Sequence, residues 1–142
     1  MSQALDDLRK LCRKYLEEAQ LRFMVDQEDD FVLQFNDGVM VYVMPRDWAQ
    51  GKTIVLVMAI ANKEVRVEES LGNFLAVENS KILFGRLSLY PDRKEVRFEH
   101  TLLGDWLNRD ELQTAILAVA TSANVYDDQI KERWGGKKYT ES

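Results

Sequence analysis

The sequence contains few of the residues on which most metal and nucleophilic sites are built. Among its 142 residues there is one cysteine, Cys12, and one histidine, His100. A single cysteine excludes an internal disulfide and any zinc site that uses two or more thiolates, and a single histidine excludes the two-histidine metal motifs. These counts exclude most metal motifs, and an all-carboxylate site remains conceivable. From the sequence as a whole we predict no catalytic residue, no metal site and no cofactor.

Long apolar runs and flexible linkers are also missing. The longest apolar run, Ile54 to Ala61, has eight residues, whereas a membrane-spanning helix needs about 20. The first residues do not combine a basic region with an apolar core, so no secretory signal is predicted and a cytoplasmic location is expected. Only 2 prolines and 7 glycines leave no room for a long flexible linker.

Charge and composition are those of one globular domain. The chain is 46% hydrophobic and 30% charged, with a net charge of −5, and an acidic balance argues against nucleic acid as the main partner. A chain of this size should bury roughly 68% of its unfolded surface, which is enough for a stable core without disulfides or bound metal ions. We expect a single domain over residues 1–136 and a short polar tail, 137–142, that frays.

Three segments show helical spacing of apolar residues. Ser2 can cap a first helix over about 3–20, and a short second helix ends near Asn79. Asn108 can cap a third helix over about 109–133, which Gly135 and the following glycine stop.

The remaining segments alternate with the period of strands. Four strands precede the second helix, with a tight turn at Asp37-Gly38. We expect Pro45 to end the third strand and a loop over 46–52 to follow, and the fourth strand is apolar on both faces, as is typical of a central strand. The predicted strands are 21–25, 31–36, 39–44, 53–61, 81–90 and 95–102, the last two forming a hairpin around Pro91. The order α-ββββ-α-ββ-α predicts an α+β fold with an antiparallel sheet.

Two short segments resemble ligand-binding motifs of other proteins but are better explained as turns. Gly51-Lys52-Thr53 resembles the end of a phosphate-binding loop, but Arg46 stands where the full motif has glycine. The carboxylates between Asp26 and Asp30 lack the glycine and glutamate positions of a calcium loop, which favours a solvated hairpin turn.

The lone histidine and the lone cysteine both lie on apolar faces. His100 is in register with Val96 and Phe98, so we expect a core histidine rather than a general base. Cys12 lies on the apolar stripe of the first helix, where a thiol behaves as a small hydrophobe.

Exposed aromatic residues give the candidate binding surface. Trp106 and Trp134 flank the last helix and are expected to anchor its packing, whereas Trp48 lies in a polar loop, where it either packs locally or anchors an interface. If residues 81–90 form one strand with its leucines facing the helices, an apolar patch is left on its outer face unless the last helix covers it. The candidate protein-binding residues are Trp48, Ile82, Phe84 and Tyr90.

The second half of the chain resembles the YbjN family of bacterial proteins. The residues that carry the resemblance are Leu75, Asn79, the run Ile82 to Leu89, Val96-Arg97-Phe98, the helix from Glu111 to Asp127, and Gly135-Gly136. This family is similar in fold to the type III secretion chaperones of the CesT kind, which are small acidic α+β homodimers that bind extended segments of other proteins. The resemblance implies a non-enzymatic, chaperone-like, homodimeric protein that binds a peptide or protein client.

Two other functions stay open from the sequence. The chain could be a dedicated structural or regulatory subunit of one complex, with its apolar face permanently covered by one partner. A carboxylate-based enzyme with a divalent ion near Asp26 to Asp30 is the remote alternative.

Overall fold

The computed structural model describes residues 2–142 and contains three α-helices and six strands. A short 3₁₀ turn over Pro91–Arg93 joins the last two strands. In chain order the elements are α1 (Gln3–Glu18), β1 (Met24–Val25), β2 (Phe31–Gln34), β3 (Met40–Ala49), β4 (Lys52–Lys63), α2 (Glu69–Asn79), β5 (Arg86–Tyr90), β6 (Glu95–Leu103) and α3 (Arg109–Trp134).

The six strands form one antiparallel sheet in the order β1-β2-β3-β4-β6-β5. The first four strands are a meander, because short turns join neighbours in sequence. β6 then pairs with β4, and the hairpin places β5 outside β6. The sheet therefore has two edges, β1 and β5, and the predicted α+β class and element order are confirmed.

The core lies between one face of the sheet and the helices. Val41 and Val43 of β3 pair with Ala59 and Val57 of β4, and all four are fully buried beneath the helices. α3 makes the most extensive helix contacts with the sheet, against β4 and β6. Each buried valine contributes about 1.5–3 kcal/mol relative to an exposed one, so this layer stabilises the whole sheet.

Capping residues set the helix ends as the sequence predicts. Ser2 Oγ accepts from the Leu5 backbone N–H at 3.0 Å. Asn108 Oδ1 accepts in the same way from the Glu111 N–H at 2.8 Å. α3 ends at Gly135, whose φ of +73° terminates the helix.

The prediction that Pro45 ends the third strand is wrong, because β3 continues through it to Ala49. β2 pairs only with β3 residues up to Val43, whereas Pro45 pairs with Val55 on the other side. Beyond Val43 that side of β3 has no strand beside it, so a proline there removes no ladder hydrogen bond. The predicted loop over 46–52 shrinks to the turn between Ala49 and Lys52.

The prediction of one strand over 81–90 is also wrong. β5 begins at Arg86, and residues 80–85 form a loop that follows α2. Gly85 has a φ of +94°, which an extended strand does not have, and a side chain there would strike the Phe98 ring. The chain therefore turns at Gly85 before it enters the sheet.

The first strand is shorter than predicted, and the C-terminal tail lies against the domain. Only Met24 and Val25 of the predicted strand over 21–25 pair with β2. The tail is hydrogen-bonded to the domain: the Lys63 and Lys137 main chains exchange hydrogen bonds of 2.9 and 3.0 Å, and Thr140 Oγ1 donates to the Gly38 carbonyl. The tail thus runs along the end of β4 toward the β2–β3 turn.

Candidate functional site

The face of the sheet opposite the helices is apolar over its central strands. Met44 pairs with Leu56 and Tyr42 with Met58, each one position away from the buried valines. Because side chains alternate along a strand, these residues point away from the helices. The apolar residues of this outer face are Val32, Met40, Tyr42, Met44, Ile54, Leu56, Met58 and Ile60.

A groove opens where this outer face meets the β1 edge. Its volume is about 600 Å³, and Met24, which is 76% exposed, stands at its border. The residues that line it are Leu21, Arg22, Phe23, Met24, Val32, Gln34 and Met40. The lining is apolar except for Arg22 and Gln34, so the groove suits apolar side chains.

The β1 edge is available for hydrogen bonding. The Asp26 N–H donates to the Asp30 carbonyl at 2.9 Å, so backbone groups of the adjacent Val25 point away from β2 in an antiparallel ladder. Val25 is exposed and lies on the edge strand. An unpaired strand edge of this kind can accept a further strand.

The opposite edge is closed at its centre by a side chain. Asn79 Oδ1 accepts from the Leu87 N–H at 2.8 Å, and Asn79 Nδ2 donates to the Leu87 carbonyl at 3.0 Å. These two bonds occupy the outward backbone groups of β5 at Leu87. The two edges of the sheet therefore differ: Asn79 caps β5 at Leu87, whereas no hydrogen bond within residues 2–142 caps β1 at Val25.

The outer face becomes polar on β5 and β6. The buried Glu99 carboxylate accepts from Ser88 Oγ and from Tyr90 Oη, each at 2.6 Å, and pairs with Arg86 at 3.4 Å. Burial and the Glu99 carboxylate raise the pKa of the Tyr90 phenol. The apolar area on the outer face is thus bounded on one side by a hydrogen-bonded polar cluster.

The acidic segment is a turn, as predicted. Asp26 Oδ1 accepts from the backbone N–H groups of Glu28 and Asp30, at 2.9 and 3.0 Å. The Asp30 carboxylate is buried and binds the Arg46 guanidinium. Among residues 2–142, no group of three histidine, cysteine or acidic side chains is arranged to hold a metal ion.

The structure does not bring the four predicted binding residues onto one face. Trp48 is 64% exposed near the end of β3. Ile82 packs against the core, and Phe84 lies on the helix side, where it stacks on His100 with ring centroids 4.3 Å apart. Tyr90 is on the outer face, hydrogen-bonded to Glu99. The expected outer patch depended on a strand over 81–90 that the chain does not form.

Two exposed residues were not predicted from the sequence. Trp106, expected to pack, is 68% exposed with Lys52 Nζ 5.3 Å from its ring centroid, whereas Trp134 is buried as expected. Leu83 is 99% exposed in the loop before β5. The groove residues had a signal in the sequence, since β3 and β4 are apolar on both faces and three helices cannot cover two faces of a six-stranded sheet.

The histidine is half-buried, whereas the cysteine is fully enclosed. His100 shares the helix side of β6 with Phe98, and burial together with the Arg86 charge lowers its pKa. Cys12 is fully buried, and burial raises the pKa of its thiol to about 12. A protonated, enclosed thiol is a poor nucleophile.

Gly51-Lys52-Thr53 lies in the β3–β4 hairpin. Gly51 occupies the turn with a φ of +72°, and β4 starts at Lys52. A phosphate-binding loop instead joins a strand to a helix N-terminus. The segment is a hairpin turn, as the sequence analysis favoured.

Comparison with known proteins identifies a family. The family described as "T3SS (YopN, CesT) and YbjN peptide-binding chaperone 1" (TY-Chap1) matches residues 6–142. No curated protein matches the chain significantly in sequence. Among residues 2–142, no helix is both long and apolar enough to cross a membrane.

Solved structures share the fold at low sequence identity. The structure of the ExsC–ExsE complex contains a chain with a TM-score of 0.68 and 15% identity, covering 92% of this chain and 97% of that one. The Yersinia pestis type III secretion chaperone SycH, solved with a fragment of YscM2, has a TM-score of 0.60 and 14% sequence identity. This match covers 83% of the present chain and 98% of SycH. YbjN from E. coli has a TM-score of 0.50 and 16% sequence identity, and the match covers 83% of the present chain and 92% of YbjN. The resemblance found in the sequence is confirmed.

Proposed function

The chain belongs to the TY-Chap1 family of peptide-binding chaperones, and we propose that it binds an extended segment of a client protein along the β1 edge. The observation that carries this proposal is the asymmetry of the two sheet edges. β1 is open and borders an apolar groove, whereas Asn79 occupies the backbone groups of Leu87 on β5.

Binding would combine two kinds of contact. The outward backbone groups of Val25 would hydrogen-bond to the client main chain, which adds a strand to the sheet. Alternate client side chains would enter the groove beside Met24, Val32 and Met40. Methionine side chains adapt to differently shaped apolar partners, so we expect the groove to accept several apolar residues at each position.

A second copy of the chain is proposed as a further partner. Leu83 and Phe84, 99% and 45% exposed, lie in a loop that is anchored to α2 by the Ile82 N–H to Glu78 carbonyl hydrogen bond at 3.1 Å. Leu83 and Phe84 are adjacent and together form an exposed apolar patch, and a second copy of the chain would cover it. We expect homodimerisation through this loop, and Leu83→Asp should convert the dimer to a monomer in size-exclusion chromatography with light scattering.

We also propose that Trp48 contacts the client and that the protein has no catalytic activity. Trp48 is exposed at the far end of β3, where it would extend the client contact beyond the groove. The protein would act by binding alone, in the cytoplasm and without nucleic acid. The family description and the net charge of −5 support this.

The experiment is selection of binding peptides from a random display library, followed by calorimetry. We expect selected peptides to carry alternating apolar residues, and Met24→Gln to weaken their binding about tenfold, because it removes apolar contact at the groove. Leu117→Gln, a matched change at another exposed apolar residue, on α3, should leave binding unchanged. Equal affinity of both variants would place the client elsewhere.

A further inference from the structure

A buried pair of polar side chains joins α3 to the end of β4. Asn62 and Asp127 are both fully enclosed, and Asn62 Nδ2 donates to Asp127 Oδ1 at 2.8 Å. Within residues 2–142, the amide oxygen Asn62 Oδ1 and the second carboxylate oxygen Asp127 Oδ2 are buried without a hydrogen-bond partner. Two acceptor oxygens are therefore left unpaired in one buried contact.

One added proton on Asp127 Oδ2 would give both unpaired oxygens a hydrogen bond, because Asp127 Oδ2 would then donate to Asn62 Oδ1. An ionised carboxylate offers only acceptors, and so does the oxygen of an amide, so the two cannot satisfy each other. A protonated carboxyl group is also a donor, and the amide in front of it has an oxygen free to accept. Burying an unpaired charge is unfavourable, so this site favours the neutral acid more strongly than water does.

We propose that Asp127 is held as a neutral carboxylic acid that donates from Oδ2 to Asn62 Oδ1, and that this two-bond pair fastens the C-terminal tail to β4 in a pH-dependent manner. The pair lies where the tail begins. Asn62 Nδ2 lies 3.4 Å from the Gly135 carbonyl, and the next residue of β4, Lys63, bridges to Lys137.

The charged groups around Asp127 do not compensate for a buried negative charge. Desolvation by burial is the largest effect and raises the pKa of Asp127. The hydrogen bond from Asn62 and the charges of Lys138 and Lys131 lower this pKa, Asp128 raises it, and the net shift is upward. Lys138 Nζ is itself held by Asn124 Oδ1 and the Asp37 carbonyl, each at 2.8 Å. From β4, the group that faces Asp127 is the neutral amide of Asn62.

The direction of the pH dependence follows from proton binding. An unfolded aspartate has a pKa of about 3.9, and the folded pKa is raised. The stabilisation is complete below the unfolded pKa and is lost as the pH rises through the folded pKa. In that interval, opening of the tail releases one proton, so its equilibrium constant should rise up to about tenfold per pH unit.

The test is a carbon-detected NMR titration of the aspartate carboxyl groups in the full chain, with amide exchange followed at Lys63 and Lys137. We expect Asp127 to titrate above its midpoint in the urea-unfolded chain, and the protection factors of both amides to fall as the pH rises. A midpoint for Asp127 at or below the unfolded value would overturn the proposal.

An isosteric variant separates the proton from the shape of the site. Asp127→Asn donates the same hydrogen bond at every pH, so its protection factors should not depend on pH in this interval and should exceed those of the wild type at high pH. Asp128→Asn, at the exposed neighbouring position, should retain the wild-type pH dependence. If Asp127→Asn keeps that dependence, Asp127 is not its source. The titration of the wild type decides the protonation state even if the variant does not fold.

Discussion

Arg46 binds the Asp30 carboxylate in a bidentate manner: Nη1 donates to Oδ1 at 2.6 Å and Nη2 donates to Oδ2 at 2.7 Å. Asp30 is buried, and it ends the turn that carries β1 into β2. The pair therefore fixes the proposed client edge to β3. Two parallel bonds of this geometry orient the carboxylate as well as neutralise it.

Replacing this arginine should destabilise the fold. Arg46→Met leaves the Asp30 carboxylate buried without its charged partner, and we expect the free energy of unfolding in urea to fall by about 2–3 kcal/mol. Arg109→Met removes an exposed arginine whose partners are 3.7 and 3.8 Å away, and should cost less than about 0.5 kcal/mol. If both variants lost the same free energy of unfolding, the buried Arg46–Asp30 pair would contribute no more to stability than an exposed ion pair.

Two glycines should respond in opposite directions to alanine. At Gly136, with a φ of +83°, a Cβ would collide with Asn62 Oδ1 and lie 2.7 Å from the Lys63 carbonyl oxygen. Gly136→Ala should lower the melting temperature markedly. At Gly72 in α2 a Cβ meets nothing, so Gly72→Ala should stabilise by about 0.5–1 kcal/mol. Thermal unfolding of both variants checks the pair, and a harmless Gly136→Ala contradicts the described turn.

Phe84 should control the titration of the single histidine. The Phe84 ring covers His100, and burial lowers the pKa of the imidazole. Phe84→Ser should raise that pKa toward the unfolded value of about 6.5, which the ring proton shifts of the one histidine report directly. Lys81→Gln, at an exposed position of the same loop outside the proposed dimer contact, should leave the pKa unchanged. A similar change in both variants would point to a general loosening of the loop.

The same shift sets a dependence of stability on pH. Because the folded pKa of His100 is below its unfolded value, the unfolded chain binds the proton more readily. Stability is therefore lost as the pH falls from about 6.5 toward the folded pKa. The loss should be smaller in Phe84→Ser.

The cysteine should be unreactive in the folded protein. Cys12 is enclosed and its pKa is raised to about 12, so the thiolate that attacks disulfide reagents is almost absent at neutral pH. We expect no reaction with Ellman's reagent in native buffer and one equivalent in guanidinium. Fast labelling of the native chain would show that α1 opens readily.

Local patterns in the sequence were sufficient for the elements but not for the surfaces. The caps at Ser2 and Asn108, and the period-two run of β6, depend on near neighbours and were predicted. The outer patch failed because the chain turns at Gly85, whose backbone packs against the Phe98 ring of β6, a contact between residues 13 positions apart in sequence. Strand order decides such contacts, and no periodicity reports it.

The proposed site failed to emerge for a related reason. The alternation of β3 and β4 shows apolar residues on both faces, but only the assembled sheet reveals which face the helices leave open. The difference between its edges is set by Asn79, whose side chain reaches Leu87, eight positions away. The sequence indicates a helix end at Asn79 and carries no sign of the strand that it caps.

The most direct test of the account is the affinity of a selected peptide for Val25→Pro, with Val25→Thr as its control. The outward N–H of Val25 takes no part in pairing with β2, so proline removes only the hydrogen bond offered to the client. We expect Val25→Pro to fold with a near-native melting temperature and to lose at least about tenfold in affinity, and Val25→Thr to bind like the wild type. Unchanged affinity of Val25→Pro would contradict strand addition at the β1 edge.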